Sequence, residues 1–196
     1  MAERSDRGQR REPQVKGAPV HGVVFAIRRI CPPDTIAKML PRLPSEVAAA
    51  VEHDRFLVAG WYPLAHYRAI FAAAMSATGR DVDLVRALSR DAMLHDFRGI
   101  YRLLTFVLSP AFIMRRSPPL FGRYYDTGTL SVPVARDGYC EAHYRGCVGF
   151  DRVLWENVLG GATAVLEAGG ANDVRVKAVR GGGDGDEEMD MIGEWR

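Results

Sequence analysis

Leu130–Val148 reads LSVPVARDGYCEAHYRGCV. Leu130, Val132 and Val134 alternate with Ser131, Pro133 and Ala135, the period of two expected of a strand. Asp137-Gly138 is a hairpin signal, and Tyr139–Val148 reads as the returning strand. Downstream, Asp151 is placed to cap a helix that carries Leu154, Val158, Ala162, Val165 and Leu166 on one face and closes at Gly169-Gly170. Val174, Val176 and Ala178 predict a third strand. GGGDGD (181–186) predicts a turn, and Met189, Met191 and Trp195 a fourth strand.

Upstream of Leu130 the period is helical. Leu64, Tyr67, Ile70, Phe71, Ala74 and Met75 share a face, after Pro63 and before Gly79. A further helix starts at Asp81 with Leu84, Val85, Leu88 and Ala92 facing inward, and Gly99 is placed to break or bend it. IYRLLTFVL (100–108) is apolar on nearly all sides and reads as a central buried helix. Short helices are expected over 34–40, 45–52, 110–114 and 118–125. HGVVFAIRRI (21–30) reads as a strand, because Val23, Phe25 and Ile27 alternate. Helices, hairpin, helix and hairpin in that order define the α+β class: an N-terminal helical layer on a four- to five-stranded antiparallel sheet.

The chain has 196 residues, 47% of them apolar and 26% charged, enough for one domain with a sizeable core. Residues 1–18 read as a flexible basic tail and 19–196 as a single domain. Residues 1–16 hold Arg4, Arg7, Arg10, Arg11 and Lys16 against Glu3, Asp6 and Glu12, a surplus that accounts for the net charge of +2. The remainder is neutral and offers no basic face, which argues against nucleic-acid binding. No apolar run reaches the roughly 18 residues of a membrane span. MAERSDRGQRREP lacks the apolar core of a secretion signal, and three cysteines (Cys31, Cys140, Cys147) suit a reducing compartment. A cytoplasmic location is expected.

The stretch Trp155–Trp195, with its Gly-interrupted helix WENVLGGATAVLEAGGA, strand NDVRVKAV, glycine-acid turn and closing strand, resembles the ligand-binding fold of nitric-oxide signalling and Golgi-transport proteins. That group includes four-vinyl-reductase-type sensors, haem-nitric-oxide-binding domains and TRAPP-like trafficking subunits. Trp61-Tyr62-Pro63 through Tyr124-Tyr125-Asp126-Thr127-Gly128 also resembles an uncharacterised paralogous family of myxobacteria. The resemblance implies a sensory or interaction module that pairs as a homodimer through its helices; with no DNA-binding helix-turn-helix or kinase pattern in the sequence, its output is expected to pass to a protein partner. Some four-vinyl-reductase-type sensors hold zinc with cysteines and a glutamate in the last hairpin. Here that segment reads VKAVRGGGDGDEEM and has no cysteine. Haem-binding members hold the propionates with a Tyr-x-Ser-x-Arg motif, which this sequence lacks.

Several residue groups can carry chemistry. Cys140, His143 and Cys147 form C-x2-H-x3-C, but in an extended strand Cys140 and His143 point to opposite faces, so buried thiols beside an exposed histidine are expected. His66 and His95 lie on successive helices without an orienting acid or a nucleophile motif. Arg115-Arg116 fits a solvated helix end, and GGGDGDEE lacks the EF-hand pattern. Aromatic residues at helical spacing suggest a mostly apolar recess between helices and sheet. Trp61, Tyr67, Tyr101 and Trp155 are its candidate lining, with no catalytic residue, metal or cofactor assigned. The leading expectation is a non-enzymatic module for a small apolar or aromatic ligand. The alternatives are a haem- or metal-dependent sensor or enzyme using His66, His95 or His143, and a structural dimeric adaptor.

Overall fold

A computed structural model describes residues 11–100 and 109–196, with the side chains of 83–100 given as far as Phe97. The hairpin forms where Asp137-Gly138 places it. Gly138 takes φ +74°, the left-handed conformation that such a turn requires. It joins β3 (Thr129–Arg136) to β4 (Tyr139–Arg145), and β5 (Arg175–Gly181) and β6 (Met189–Glu194) follow. All neighbours are antiparallel and the order is β3-β4-β6-β5. Cys140, Ala142 and Tyr144 of β4, with Met189 and Met191 of β6, are buried on the inner face. Their alternate neighbours, His143 among them, lie toward the outer face.

The described helices are α1 (Gly17–Ile30), α2 (Thr35–Met39), α3 (Ser45–Glu52), α4 (Leu64–Thr78), α5 (Asp83–Ile100), α6 (Pro110–Arg116), α7 (Pro118–Tyr124) and α8 (Arg152–Ala168). Asp151 Oδ1 accepts from the Leu154 amide at 3.0 Å, as its predicted capping role requires, and Ser109 Oγ likewise accepts from the Phe112 amide at 3.3 Å. The α+β architecture is as expected. Helix α5 packs against both α1 and α8.

Three expectations differ. Residues 21–30 belong to helix α1, because burial follows Val20, Val23, Val24 and Ile27, a helical repeat that starts before the stretch read as a strand. Ordered chain also precedes residue 19: β1 (Gln14–Lys16) pairs with β2 (Trp61–Pro63), and Val15 is fully buried. Helix α5 runs through Gly99 to Ile100. The apolar stretch 101–108 lies outside the described residues.

Helices α5 and α8 approach closely at Gly160, where a Cβ would stand 2.4 Å from the Arg86 carbonyl oxygen and 3.0 Å from Ser89 Cβ. At Gly161 a Cβ would meet Met93 Cε at an ordinary 3.8 Å. Adjacent glycines therefore respond oppositely. Gly160→Ala is expected to destabilise by about 1–3 kcal/mol through overpacking. Gly161→Ala is expected to stabilise by about 0.5–1 kcal/mol through the helix entropy that glycine forfeits. Urea denaturation of the two variants checks this. Equal shifts would refute the close approach.

Candidate functional site

Helices α1, α4, α5, α7 and α8 converge over the inner ends of β3 and β4 around a cavity of about 100 Å³. Its wall is mainly apolar: Val23, Ala92, Met93, Met114, Leu120, Phe121, Leu130, Val158, Ala162 and Val165 contribute. Helical spacing brings Ser89, Ala92, Met93 and Asp96 of α5 to one side, and Asn157, Val158, Gly161, Ala162 and Val165 of α8 to another. Tyr67, Tyr124, Tyr125 and Tyr144 bring phenol rings from α4, the end of α7 and β4.

A buried hydrogen-bond hub closes one side. The Tyr67 phenol donates to Asn157 Oδ1 at 3.0 Å, and Asn157 Nδ2 donates to the Tyr125 oxygen at 2.7 Å. Ser89 Oγ lies 2.8 Å from both Asn157 Oδ1 and the Val85 carbonyl, and its single proton serves one at a time. Tyr125 lines the cavity, and among the described residues its proton shows no acceptor. Tyr125 also joins an aromatic stack with Phe121 and Phe150, at centroid separations of 5.0 and 5.2 Å. β1 is tied to the same place, through a bridge between Val15 and Tyr125.

Burial decides the ionisation of this region. It pushes the phenols of Tyr67, Tyr125 and Tyr144 well above the ordinary tyrosine range, so all three stay neutral. It pushes the thiols of Cys140 up to about 11 and Cys147 up to about 12, which leaves both protonated and unreactive. Asp96 is the one charged side chain among the described lining residues. Burial raises its carboxyl above the usual range, and the nearby His95, His21 and Arg29 oppose that rise.

Of the residues expected to line the recess, Tyr67 does so. Trp155 is buried directly behind the wall, stacked on Phe150 at 4.8 Å, with its indole N–H donating to the Asp186 carbonyl at 3.2 Å. Trp61 is 39% exposed and lies under the Lys16 ammonium, away from the cavity. Tyr101 lies outside the described residues. His66 Nε2 lies 3.1 Å from Glu46 Oε1, His95 is exposed on α5, and His143 is on the outer sheet face. None of the three lines the cavity. Among the described residues no group of three or more His, Cys, Asp or Glu side chains is arranged to hold a metal. Sequence reading missed Ser89, Asp96 and Asn157. Their signal was a polar residue placed within an apolar helical stripe: Ser89 and Asp96 continue Val85 and Ala92, and Asn157 adjoins Leu154 and Val158.

A helical cap, an antiparallel sheet and a recess between them define an α+β cavity fold. It is the fold of the haem-NO-binding (H-NOX) domains. An unliganded Fe(II) H-NOX variant from K. algicida is 12% identical, with 92% of this chain and 96% of that one covered, at a TM-score of 0.68. An oxygen-binding H-NOX domain related to soluble guanylate cyclases, solved as its oxygen complex, is 14% identical, with 92% and 95% covered, at 0.66. A T. tengcongensis H-NOX variant is 14% identical, with 92% and 97% covered, at 0.66. No family model and no curated protein matches the chain. Support thus falls on the haem-NO-binding branch of the expected resemblance. The four-vinyl-reductase and trafficking branches gain none from these structures.

Two outcomes test the site. Asn157→Ala strands the Tyr67 and Tyr125 phenols, Ser89 keeping the Val85 carbonyl, and is expected to cost about 3 kcal/mol, against about 1 kcal/mol for Tyr67→Phe, which removes one bond. Chemical denaturation measures both. If the two cost the same, Asn157 is no hub. The second outcome concerns alkali. Unfolded thiols and phenols lose protons from about pH 8.5 and 10 respectively, whereas the buried ones keep them. Above those values the unfolded state binds fewer protons, so stability falls as pH rises. Urea midpoints at neutral and alkaline pH should decline steadily through the thiol and then the phenol range. A flat profile would show that these groups are not desolvated.

Proposed function

We propose that this chain is a non-enzymatic sensory domain whose cavity binds one small, largely apolar ligand. The carrying observation is the cavity: apolar over most of its wall, with a few fixed polar groups, the composition of small-molecule sites in general. Its volume of about 100 Å³ lies well below the roughly 300–1,000 Å³ of sites for drug-sized molecules, which favours a compact guest. The neutral Tyr125 phenol supplies a directional hydrogen bond, and the protonated thiols and phenols supply no nucleophile. A binding and sensing role accounts for such a wall better than catalysis does.

A haem-dependent sensor is the second reading, and the solved neighbours, among them an Fe(II) H-NOX protein, an oxygen-binding H-NOX domain and a protein described by its haem redox potential, favour it over the apolar-ligand reading. The described residues do not fit a histidine-ligated haem. Cavity-facing donors are phenols that burial keeps protonated and the thioethers of Met93 and Met114, and the wall carries a carboxylate where propionates need cations.

One preparation distinguishes the two readings. Protein expressed with supplemented haem and purified is expected to show no Soret band, and small aromatic compounds are expected to raise its melting temperature. A stoichiometric Soret band would establish the haem reading. Absence of both responses would remove the cavity from consideration as a binding site.

A further inference from the structure

We infer that the cavity selects a small organic ammonium, with the cation held against aromatic faces and Asp96 as its counter-ion. The inference rests on reading the cavity as a small-ligand site and names the chemistry of its occupant. Five rings line the space: Tyr67, Phe121, Tyr124, Tyr125 and Tyr144. Each presents a face of negative potential, and several such faces around a desolvated recess attract an alkylammonium more than a neutral group of equal size.

Asp96 stands among them. It lines the same cavity, and after burial and the neighbouring phenols its charge is a further, smaller cause of the upward shift of the Tyr67 phenol. Among the described residues it makes no ion pair: of its charged neighbours, His95 is exposed on α5, His21 lies 3.5 Å from Asp54, and Arg29 is paired with Asp91. The carboxylate is therefore half-buried beside the rings, and among the described residues no cation is in ion-pair contact with it, although His95, His21 and Arg29 act on it at longer range. Helix α1 leaves room in front of it. A Cβ at Gly22 would stand 4.0 Å from Asp96 Oδ2 and 3.4 Å from Ala92 Cβ, so any larger side chain would crowd this corner. The described wall holds no Lys, Arg or His, which disfavours anionic guests and makes a cation the ligand charge that matches Asp96.

Calorimetric titration of the full chain with choline, and with its uncharged isostere bearing a tert-butyl group in place of trimethylammonium, tests the assignment. Choline is expected to bind at least about tenfold more tightly than the isostere. Asp96→Asn should weaken choline by about tenfold and leave the isostere unchanged. Gly161→Leu, which fills the cavity from α8, should abolish both. A circular dichroism spectrum and melting temperature confirm that each variant is folded.

Equal or tighter binding of the isostere overturns the charge assignment and leaves the small-ligand reading standing. So does failure of both compounds while a neutral aromatic still raises the melting temperature. Choline binding that survives both substitutions places its site elsewhere and overturns the inference. If no compound of either class binds, the cavity reading falls as well.

Discussion

The contact between α5 and α8 at Gly160 sets the geometry of the molecule's interior. With no side chain at this position, the α8 backbone lies against the Arg86 carbonyl. That approach brings Ser89 and Asn157 to within 2.8 Å of each other. From Asn157 the connection passes to Tyr67 on α4 and to Tyr125 at the end of α7. A glycine in one helix thus determines where four segments meet. The surface pairs Arg86–Glu156 and Arg90–Glu167, each at 2.7 Å, lie along the same seam. Partly exposed pairs of this kind contribute about 0–1 kcal/mol each. A single buried Leu88 or Leu154 contributes about 1.5–3 kcal/mol. Apolar burial therefore supplies most of the stability of the seam, and the polar groups fix its register.

Much of the frame was legible in the residues. Period-two alternation, Asp137-Gly138 and the helical stripes gave the hairpins, α4, α5 and α8, because each signal is local and agrees with the tertiary arrangement. The first helix departs from its expected strand for a physical reason. Val23, Phe25 and Ile27 satisfy a two-residue period over a short window, and only the inclusion of Val20 and Val24 reveals the helical repeat. The pairing of Gln14–Lys16 with Trp61–Pro63 is a long-range contact with no local signature. The site was less legible. Trp155 and Tyr67 were equally good aromatic candidates, yet one packs behind the wall and the other faces it, a difference set by how α8 sits on the sheet. Asn157 is marked only as a polar residue in an apolar stripe, and no spacing rule names its three partners.

A shared frame with H-NOX domains leaves the occupant of the recess open, because a fold positions a cavity and the lining side chains choose what enters it. At 12–14% identity the lining is free to diverge. In this chain the described lining carries one carboxylate and four phenols. Desolvation holds the buried phenols neutral, so they act as hydrogen-bond donors and as π faces, and they add no negative charge of their own. Asp96 then carries the whole formal charge of the described wall. A single carboxylate in a low-dielectric recess is unfavourable until something neutralises it, either a proton or a cation. The rise in its pKa marks the first route. The surrounding rings favour the second, since a cation that settles there gains the attraction of the carboxylate and the aromatic faces together. An anionic guest would meet repulsion from the same group with no basic side chain on the described wall to offset it. The selectivity of the recess thus follows from one charge and the neutrality of its neighbours.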